Sequence, residues 1–154
     1  NNRLDTMQAA VLKVKLPHLD GWNENRRHAA DAYAERLADL PMITPATAGY
    51  AEHIFHLYVV RVENREPLME FLKERGIATG LHYPIPIHLQ PAYAELGYER
   101  GDFPVTEAYA ETILSLPIFP ELDEAKVAYV TDAIHDYFHS QGAHESLAAA
   151  VAGD

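Results

Sequence analysis

Residues 54–62 read IFHLYVVRV, a run dominated by β-branched and aromatic side chains. Such a run is typical of a β-strand, so it predicts the clearest strand of the chain. Shorter strands are predicted at residues 77–81 and 114–116, each next to a helical pattern. Because helices alternate with these strands, the sequence predicts an α+β fold in which helices cover a small sheet.

Apolar residues at three- and four-residue spacing predict the helices around this sheet. In the last helix the inward residues are expected to be Val127, Val130, Ile134 and either Tyr137 or Phe138. Pro17 is expected to end the first helix, because proline disfavours helical geometry in the residue before it. The predicted helices cover about residues 4–16, 19–40, 64–75, 102–113 and 120–142, and a further helical turn is predicted at residues 91–96.

Two helix boundaries depend on single residues. Gly76 stands where a helix is expected to end in a left-handed conformation. Asp102 is expected to cap the helix that follows the turn GDFP, with Val105, Ala108 and Ile113 on its inward face.

The first helix carries an apolar stripe that nothing later in the chain is expected to cover: Leu4, Met7, Val11 and Val14. The chain also begins at Asn1 rather than at a methionine, so we expect it to be a piece of a longer polypeptide. Residues 1–18 would then pack on an upstream part, and residues 19–140 would form a small C-terminal domain. The alanine-rich residues 141–154 are expected to be a disordered tail.

Residues 76–93, GIATGLHYPIPIHLQPAY, carry polar side chains that neither a helical nor a strand period explains. The prolines restrict their own backbone and that of the residues before them. We therefore predict a stiff, extended segment that presents His82, Tyr83, His88 and Gln90 to a ligand. The alternative is a proline-punctuated connection whose polar groups reach solvent.

The composition excludes several kinds of partner. A net charge of −11 argues against nucleic acid and against an anionic membrane surface. One well-placed arginine would still suffice to bind a phosphate-bearing small molecule. The chain has no cysteine, which excludes disulfides and thiolate chemistry and is compatible with the cytoplasmic location that we expect. No apolar run approaches the roughly 20 residues of a membrane-spanning helix.

Familiar catalytic and metal-binding patterns are missing. His135 and His139 have a chelating spacing, but Asp136 stands where an HExxH site requires glutamate, so no metal is expected. No nucleophile elbow, dinucleotide fingerprint or phosphate loop occurs. The few lysines fall on polar helix faces, where a reactive amine is not expected. The chain is therefore predicted to contain no catalytic residue of its own.

The first ten residues, NNRLDTMQAA, resemble the N-x-R-L-D-x-x-Q-A-A signature of the DegT/DnrJ/EryC1/StrS family of sugar aminotransferases. Three later runs resemble successive blocks of that family, and the resemblance extends to about residue 138. These runs are HIFHLYVVRV at 53–62, GIATGLHYPIPIHLQPAY at 76–93 and GDFPVTEAYAETILSLPIFPEL at 101–122.

The resemblance implies the small domain of a pyridoxal-phosphate enzyme with the aspartate-aminotransferase fold, active as a homodimer. Such enzymes transfer an amino group, usually from glutamate, to the keto group of a nucleotide-linked sugar. The lysine that bonds to the cofactor lies in an upstream large domain, so these 154 residues alone should be inactive. The alternative is a binding or regulatory protein that kept this fold and lost transamination.

The resemblance also assigns roles to single residues. Asn1 matches an asparagine that reaches the cofactor phosphate across the dimer, and an amide N–H suits that task. Arg3 matches an arginine near the phosphate or the sugar nucleotide. The residues that the resemblance places at the substrate are His82, Tyr83, His88 and Gln90, the last two with less defined roles.

Overall fold

The computed structural model describes the backbone of residues 3–151 and the side chains of residues 3–141. Short 3-10 turns occupy Leu16–His18, Ile87–Leu89 and Pro91–Leu96. The helices and strands are α1 Thr6–Lys15, α2 Leu19–Arg36, β1 Tyr58–Arg61, α3 Arg65–Glu74, α4 Pro104–Thr112, β2 Ile113–Leu116 and α5 Glu124–Val151.

Within the described residues the sheet consists of β1 and β2, paired antiparallel from Tyr58 opposite Leu116 to Arg61 opposite Ile113. The strand predicted at residues 77–81 is reduced to one bridge, between Gly80 and Ser115. The predicted α+β class is confirmed, with a smaller sheet than the sequence indicated.

The strand predicted over residues 54–62 is too long by its first four residues and its last. Phe55 has a positive φ of 49°, and its N–H donates to Nδ1 of His53 at 2.8 Å, which turns the chain. In the register of β1 and β2, the residue before Tyr58 would face Pro117. Proline has no N–H to donate, so the ladder ends there although the composition still favours a strand.

One face of the sheet packs on helices and forms the core. Tyr58 and Val60 point to this face and are almost fully buried. The ring of Tyr58 stacks on that of Tyr33 from α2, with centroids 4.9 Å apart. Val127, Val130, Ile134 and Tyr137 of α5 are buried in the same core, which confirms the inward face predicted for the last helix.

The inward face predicted for α4 is wrong at two of its three residues, since only Ile113 is buried. Val105 is 72% exposed and Ala108 is also exposed, whereas Glu107 and Ala110 are buried. The predicted cap is wrong as well, since the Asp102 carboxylate accepts a hydrogen bond from the N–H of Glu99, within the preceding loop.

Pro17 ends the first helix as predicted, one residue earlier than expected, and α2 begins at the predicted Leu19. It occupies the 3-10 turn Leu16–His18, which passes directly into α2, and α2 then ends at Arg36, earlier than expected. Proline is tolerated here because it stands in a first helical turn, where its missing N–H is not needed. No residue of α1 is buried, so the predicted packing of residues 1–18 on another part stays a prediction.

Helix α5 continues to Val151, beyond Gly142, where we expected the helix to fray. Alanine has the highest helix propensity and offsets the cost of one internal glycine, about 1 kcal/mol. Disorder of residues 141–154 stays a prediction, and residues 152–154 lie outside the described residues. None of the described helices is long and apolar enough to cross a membrane.

The loop between Pro86 and Pro104 is fastened to α4 by the buried carboxylate of Glu107. This carboxylate accepts hydrogen bonds from Nε2 of His88 at 2.9 Å and from the N–H groups of Gly101 and Phe103 at 2.9 and 3.2 Å. Burial by itself would raise the pKa of Glu107, but these three donors outweigh it and lower the pKa below 4.5.

The lowered pKa of Glu107 predicts a pH-dependent contribution to stability. Because the pKa is lower in the folded state, the contribution is present above the unfolded value of 4.5 and lost as pH falls through the folded value. Glu107→Gln should therefore lower the free energy of unfolding at neutral pH, with a difference that shrinks in acid. Urea unfolding at several pH values measures this. Glu111→Gln, on the exposed side of α4, is the matched control, and an equal effect of both changes would contradict the prediction.

Val130 is buried and Val105 is exposed, so replacement by alanine should reduce stability far more at Val130 than at Val105. Val130→Ala removes two buried methyl groups and should lower the free energy of unfolding by about 2 kcal/mol. Val105→Ala should change it by less than about 0.5 kcal/mol, because this side chain is 72% exposed. Chemical denaturation of both variants decides the matter, and a large loss for Val105→Ala would show that this face is covered in solution.

Candidate functional site

The face of the sheet opposite to the core is the floor of an open cleft of about 630 Å³. Side chains alternate along a strand and directly paired residues share a face, so Val59, Arg61, Ile113 and Ser115 all point to this side. Residues 43–46 form one wall and α4 forms another, with Tyr109 in the lining. The proline-containing segment 82–87 passes over the floor.

His82 is anchored to this floor by a single hydrogen bond. Its Nδ1 lies 2.9 Å from Oγ of Ser115, which is buried in β2. Two backbone hydrogen bonds of 2.8 and 3.1 Å between Ser115 and Gly80 hold the start of the segment on the sheet. Because Nδ1 is engaged, Nε2 is the ring nitrogen that remains for a ligand.

Gly80 is required by the imidazole of His82. A Cβ added at Gly80 would lie 2.8 Å from Cε1 of His82, closer than carbon atoms approach without a shift. Its backbone conformation is open to any residue, so the constraint is the close approach of the ring. Sequence reasoning missed Gly80, although it lies two residues before His82, and Ser115, which only the pairing with Gly80 brings beside His82.

Tyr83 follows His82 across a cis peptide bond. It is 73% exposed and lines the cleft, and its ring meets that of His82 edge to face with centroids 5.5 Å apart. The two residues therefore place an imidazole nitrogen and a phenol side by side above the sheet, where both can hydrogen-bond to a polar ligand.

Arg61 is a floor residue that sequence reasoning also missed. The signal was present, because it is the only charged residue in the run 54–62. Its Nε donates to Oγ1 of Thr112 at 3.0 Å, and its guanidinium carbon lies 4.0 Å from the ring centroid of Tyr109. The cleft therefore combines a cation, an imidazole and a phenol.

His88 and Gln90 do not line this cleft. His88 is buried against Glu107, with Phe103 packed on its ring at 4.7 Å. The side-chain nitrogen of Gln90 lies 3.5 Å from the carbonyl oxygen of Ile85, within the segment that lines the cleft. Both residues hold the segment in place here, and their assignment to the substrate stays a prediction.

The extended segment predicted over residues 76–93 is interrupted after Pro86, whereas the helical turn predicted at residues 91–96 is confirmed. Ile87–Leu89 and Pro91–Leu96 are 3-10 turns, which fold the chain back toward α4. Pro91 opens the second turn, where its fixed φ suits the first helical position. Turning at Ile87 lets His88 leave the cleft and reach Glu107.

The residues predicted to bind the cofactor lie at the other end of the chain. Asn1 lies outside the described residues, and Arg3 is exposed just before α1. Their roles stay a prediction.

The described residues contain no group of three or more ligating side chains that could hold a metal ion. Nε2 of His135 lies 2.8 Å from the carbonyl oxygen of Arg36, with which it forms a hydrogen bond. None of the lysines lines the cleft, and Lys73 and Lys126 pair with neighbouring carboxylates. The cleft offers groups that bind and orient, but no amine for a covalent bond to a cofactor.

Over residues 1–135 the chain matches the model of the DegT/DnrJ/EryC1/StrS aminotransferase family. It is 48% identical over 142 residues to a pleiotropic regulatory protein of Geobacillus stearothermophilus, with 90% of this chain and 38% of that protein covered. It is 46% identical over 138 residues to the dTDP-3-amino-3,4,6-trideoxy-alpha-D-glucose transaminase of Streptomyces venezuelae, with 89% of this chain and 36% of that enzyme covered.

Among solved structures, the chain resembles S. venezuelae DesV, determined by crystallography in complex with a ketimine intermediate. The TM-score is 0.85 at 45% identity, with 88% of this chain and 37% of that chain covered, which confirms the predicted fold class. The chain spans little more than a third of the length of the curated relatives it matches. Matched over most of its own residues by this family model and these relatives, the chain belongs to the DegT/DnrJ/EryC1/StrS aminotransferase family.

Proposed function

We propose that the chain is the C-terminal part of an aminotransferase that moves an amino group from glutamate to the keto group of a nucleotide-linked sugar. The observation that carries this proposal is the cleft on the open face of the sheet, which His82, Tyr83 and Arg61 all line. The name of the S. venezuelae relative, a transaminase of a dTDP-linked amino sugar, supports the substrate class.

His82 and Tyr83 are proposed to bind the sugar. Nε2 of His82 and the hydroxyl of Tyr83 offer hydrogen bonds to sugar hydroxyl groups, and the ring faces offer apolar contact to the sugar carbons. Since Ser115 and Gly80 fix the imidazole, little side-chain entropy is lost on binding. His88 and Gln90 support this arrangement by holding the chain that follows Tyr83.

The proposed cofactor is pyridoxal phosphate, which when bound supplies the electron sink for amino-group transfer. From this chain, Asn1 and Arg3 are the candidates to bind its phosphate, through an amide N–H and a guanidinium. The cleft contains no lysine, so the residue that bonds to the cofactor is proposed to lie outside these 154 residues.

The exposed stripe of α1 is proposed to pack on the large domain of the same enzyme, within a homodimer. Met7 is 79% exposed, Val11 58% and Val14 70%. Covering such side chains contributes about 25 cal/mol per Å² of apolar surface removed from water, which favours association. A cytoplasmic location is part of the same proposal.

A second candidate function is binding or regulation without transamination. The G. stearothermophilus relative is named a pleiotropic regulatory protein, and it is as similar to this chain as the named transaminase. The groups in the cleft would bind a nucleotide sugar equally well in a protein that performs no chemistry.

Amino transfer can be tested directly with the protein expressed from its complete reading frame. We expect it to form 2-oxoglutarate from glutamate when pyridoxal phosphate and a dTDP- or UDP-linked keto sugar are supplied. Coupled assay of 2-oxoglutarate and mass spectrometry of the sugar product measure both halves of the reaction. Binding of the nucleotide sugar without either product would support the regulatory function instead.

The role of the His82 anchor predicts a selective effect of Gly80→Ala. The added methyl group must displace the imidazole, so kcat/KM for the keto sugar should fall by about 10- to 100-fold with the fold intact. Gly21→Ala is the matched control, since a Cβ there meets no atom within 4 Å. Kinetics and circular dichroism of both variants give the answer. Wild-type kcat/KM in Gly80→Ala would show that His82 does not need this position.

A further inference from the structure

Among the described residues, Arg61 is the arginine that lines the cleft, and it has no carboxylate partner there. Within residues 3–141 no ion pair joins Arg61 to an acidic side chain, whereas Arg27, Arg36 and Arg100 each have one. Arg65 is buried and donates to two backbone carbonyl oxygens at 2.6 and 3.0 Å. Arg61 is only half-buried and faces the cleft.

The guanidinium of Arg61 is nevertheless held in one orientation. Its Nε donates to Oγ1 of Thr112 at 3.0 Å, and that hydroxyl donates in turn to the carbonyl oxygen of Ala108 at 2.9 Å. The guanidinium carbon lies over the ring of Tyr109, 4.0 Å from its centroid. Five N–H groups belong to a guanidinium, and the contacts to Thr112 and Tyr109 leave those on the two terminal nitrogens for another acceptor.

The position of Arg61 relative to His82 is set by the sheet. Arg61 lies opposite Ile113, and Ser115, which anchors His82, lies opposite Val59. Arg61 and Ser115 are therefore diagonal neighbours on one face, with side chains about 7–8 Å apart or less. A ligand whose sugar contacts His82 would have the group attached to that sugar within reach of Arg61.

We propose that Arg61 binds the diphosphate of the nucleotide-linked substrate, with Tyr109 and Thr112 as positioning residues. This inference rests on the function proposed above. A diphosphate is bonded directly to the sugar and presents several anionic oxygens, which match the paired N–H groups of a guanidinium. The carboxylates of glutamate belong to a different molecule, which need not bind beside the sugar.

Binding of nucleotides to the protein from its complete reading frame tests the role of Arg61. Isothermal titration with dTDP and UDP, compared with thymidine and uridine, separates the diphosphate from the base and ribose. Arg61→Gln should raise the Kd of the preferred nucleoside diphosphate by about 10- to 100-fold and leave the Kd of the nucleoside within about twofold. The Kd of the nucleoside diphosphate for Arg61→Lys should lie between those of the wild type and Arg61→Gln, because lysine keeps the charge but lacks the paired N–H groups of the guanidinium.

Arg100→Gln is the control, since Arg100 is exposed and paired with Glu111. It should leave the Kd of both kinds of probe unchanged. A Kd for dTDP and UDP that Arg61→Gln leaves unchanged would overturn the assignment. So would a rise in the KM of glutamate alone, which would place a carboxylate at Arg61.

The positioning role of Tyr109 has a separate readout. Tyr109→Phe keeps the ring under the guanidinium and should keep the wild-type Kd, whereas Tyr109→Leu should raise the Kd of the diphosphate by about threefold to tenfold. Thermal unfolding of both variants shows whether either change only weakens the fold. Equal Kd values for both variants would overturn the role of the stacking.

The outcomes also distinguish this inference from the function on which it rests. Amino transfer by the wild-type protein with no loss of nucleotide affinity in Arg61→Gln would retain the function and refute the role of Arg61. A wild-type protein that binds neither dTDP nor UDP and shows no amino transfer would refute both.

Discussion

The four-residue pairing of β1 with β2 divides this domain into a covered face and an open one. Because side chains alternate along each strand, one pairing sends Tyr58 and Val60 into the helical core and Val59 and Arg61 to the cleft. A shift of one residue would bury the charge of Arg61 and expose the ring of Tyr58. The hydrophobic core and the candidate site are therefore set by the same register.

The open face brings together residues from β1, from β2 and from the segment that begins at Gly80. Gly80, Ser115 and His82 form one contact cluster. The glycine leaves space for the imidazole, the serine hydroxyl hydrogen-bonds to it, and the histidine faces the cleft. Arg61, which is paired with Ile113 two residues along the ladder, packs on the ring of Tyr109 from α4. The helix that completes this wall is in turn fastened to the loop by Glu107, so a carboxylate outside the cleft stabilises the geometry inside it.

The sequence was sufficient for features whose physical cause is local. The inward face of α5 repeats every three to four residues, and Gly76 adopts the expected positive φ of 71° at its helix end. Boundaries that depend on a distant partner could not be predicted, as at Leu57, whose place opposite Pro117 follows only from the register. The proline-containing segment and the resemblance both pointed to His82 and Tyr83, whereas the places of Arg61 and Ser115 beside them follow only from the register.

The net charge of −11 makes the location of each cation matter. At physiological ionic strength charges are screened beyond about 8 Å, so the acidic surface has little influence on a ligand inside the cleft. Close contacts there are less screened and act in a lower dielectric. An anionic ligand would therefore gain its affinity from a few short contacts. The open face supplies these through Arg61, held by Thr112, and His82, held by Ser115. Specificity for such a ligand would then depend on how rigidly those two side chains are held, more than on the overall charge of the protein.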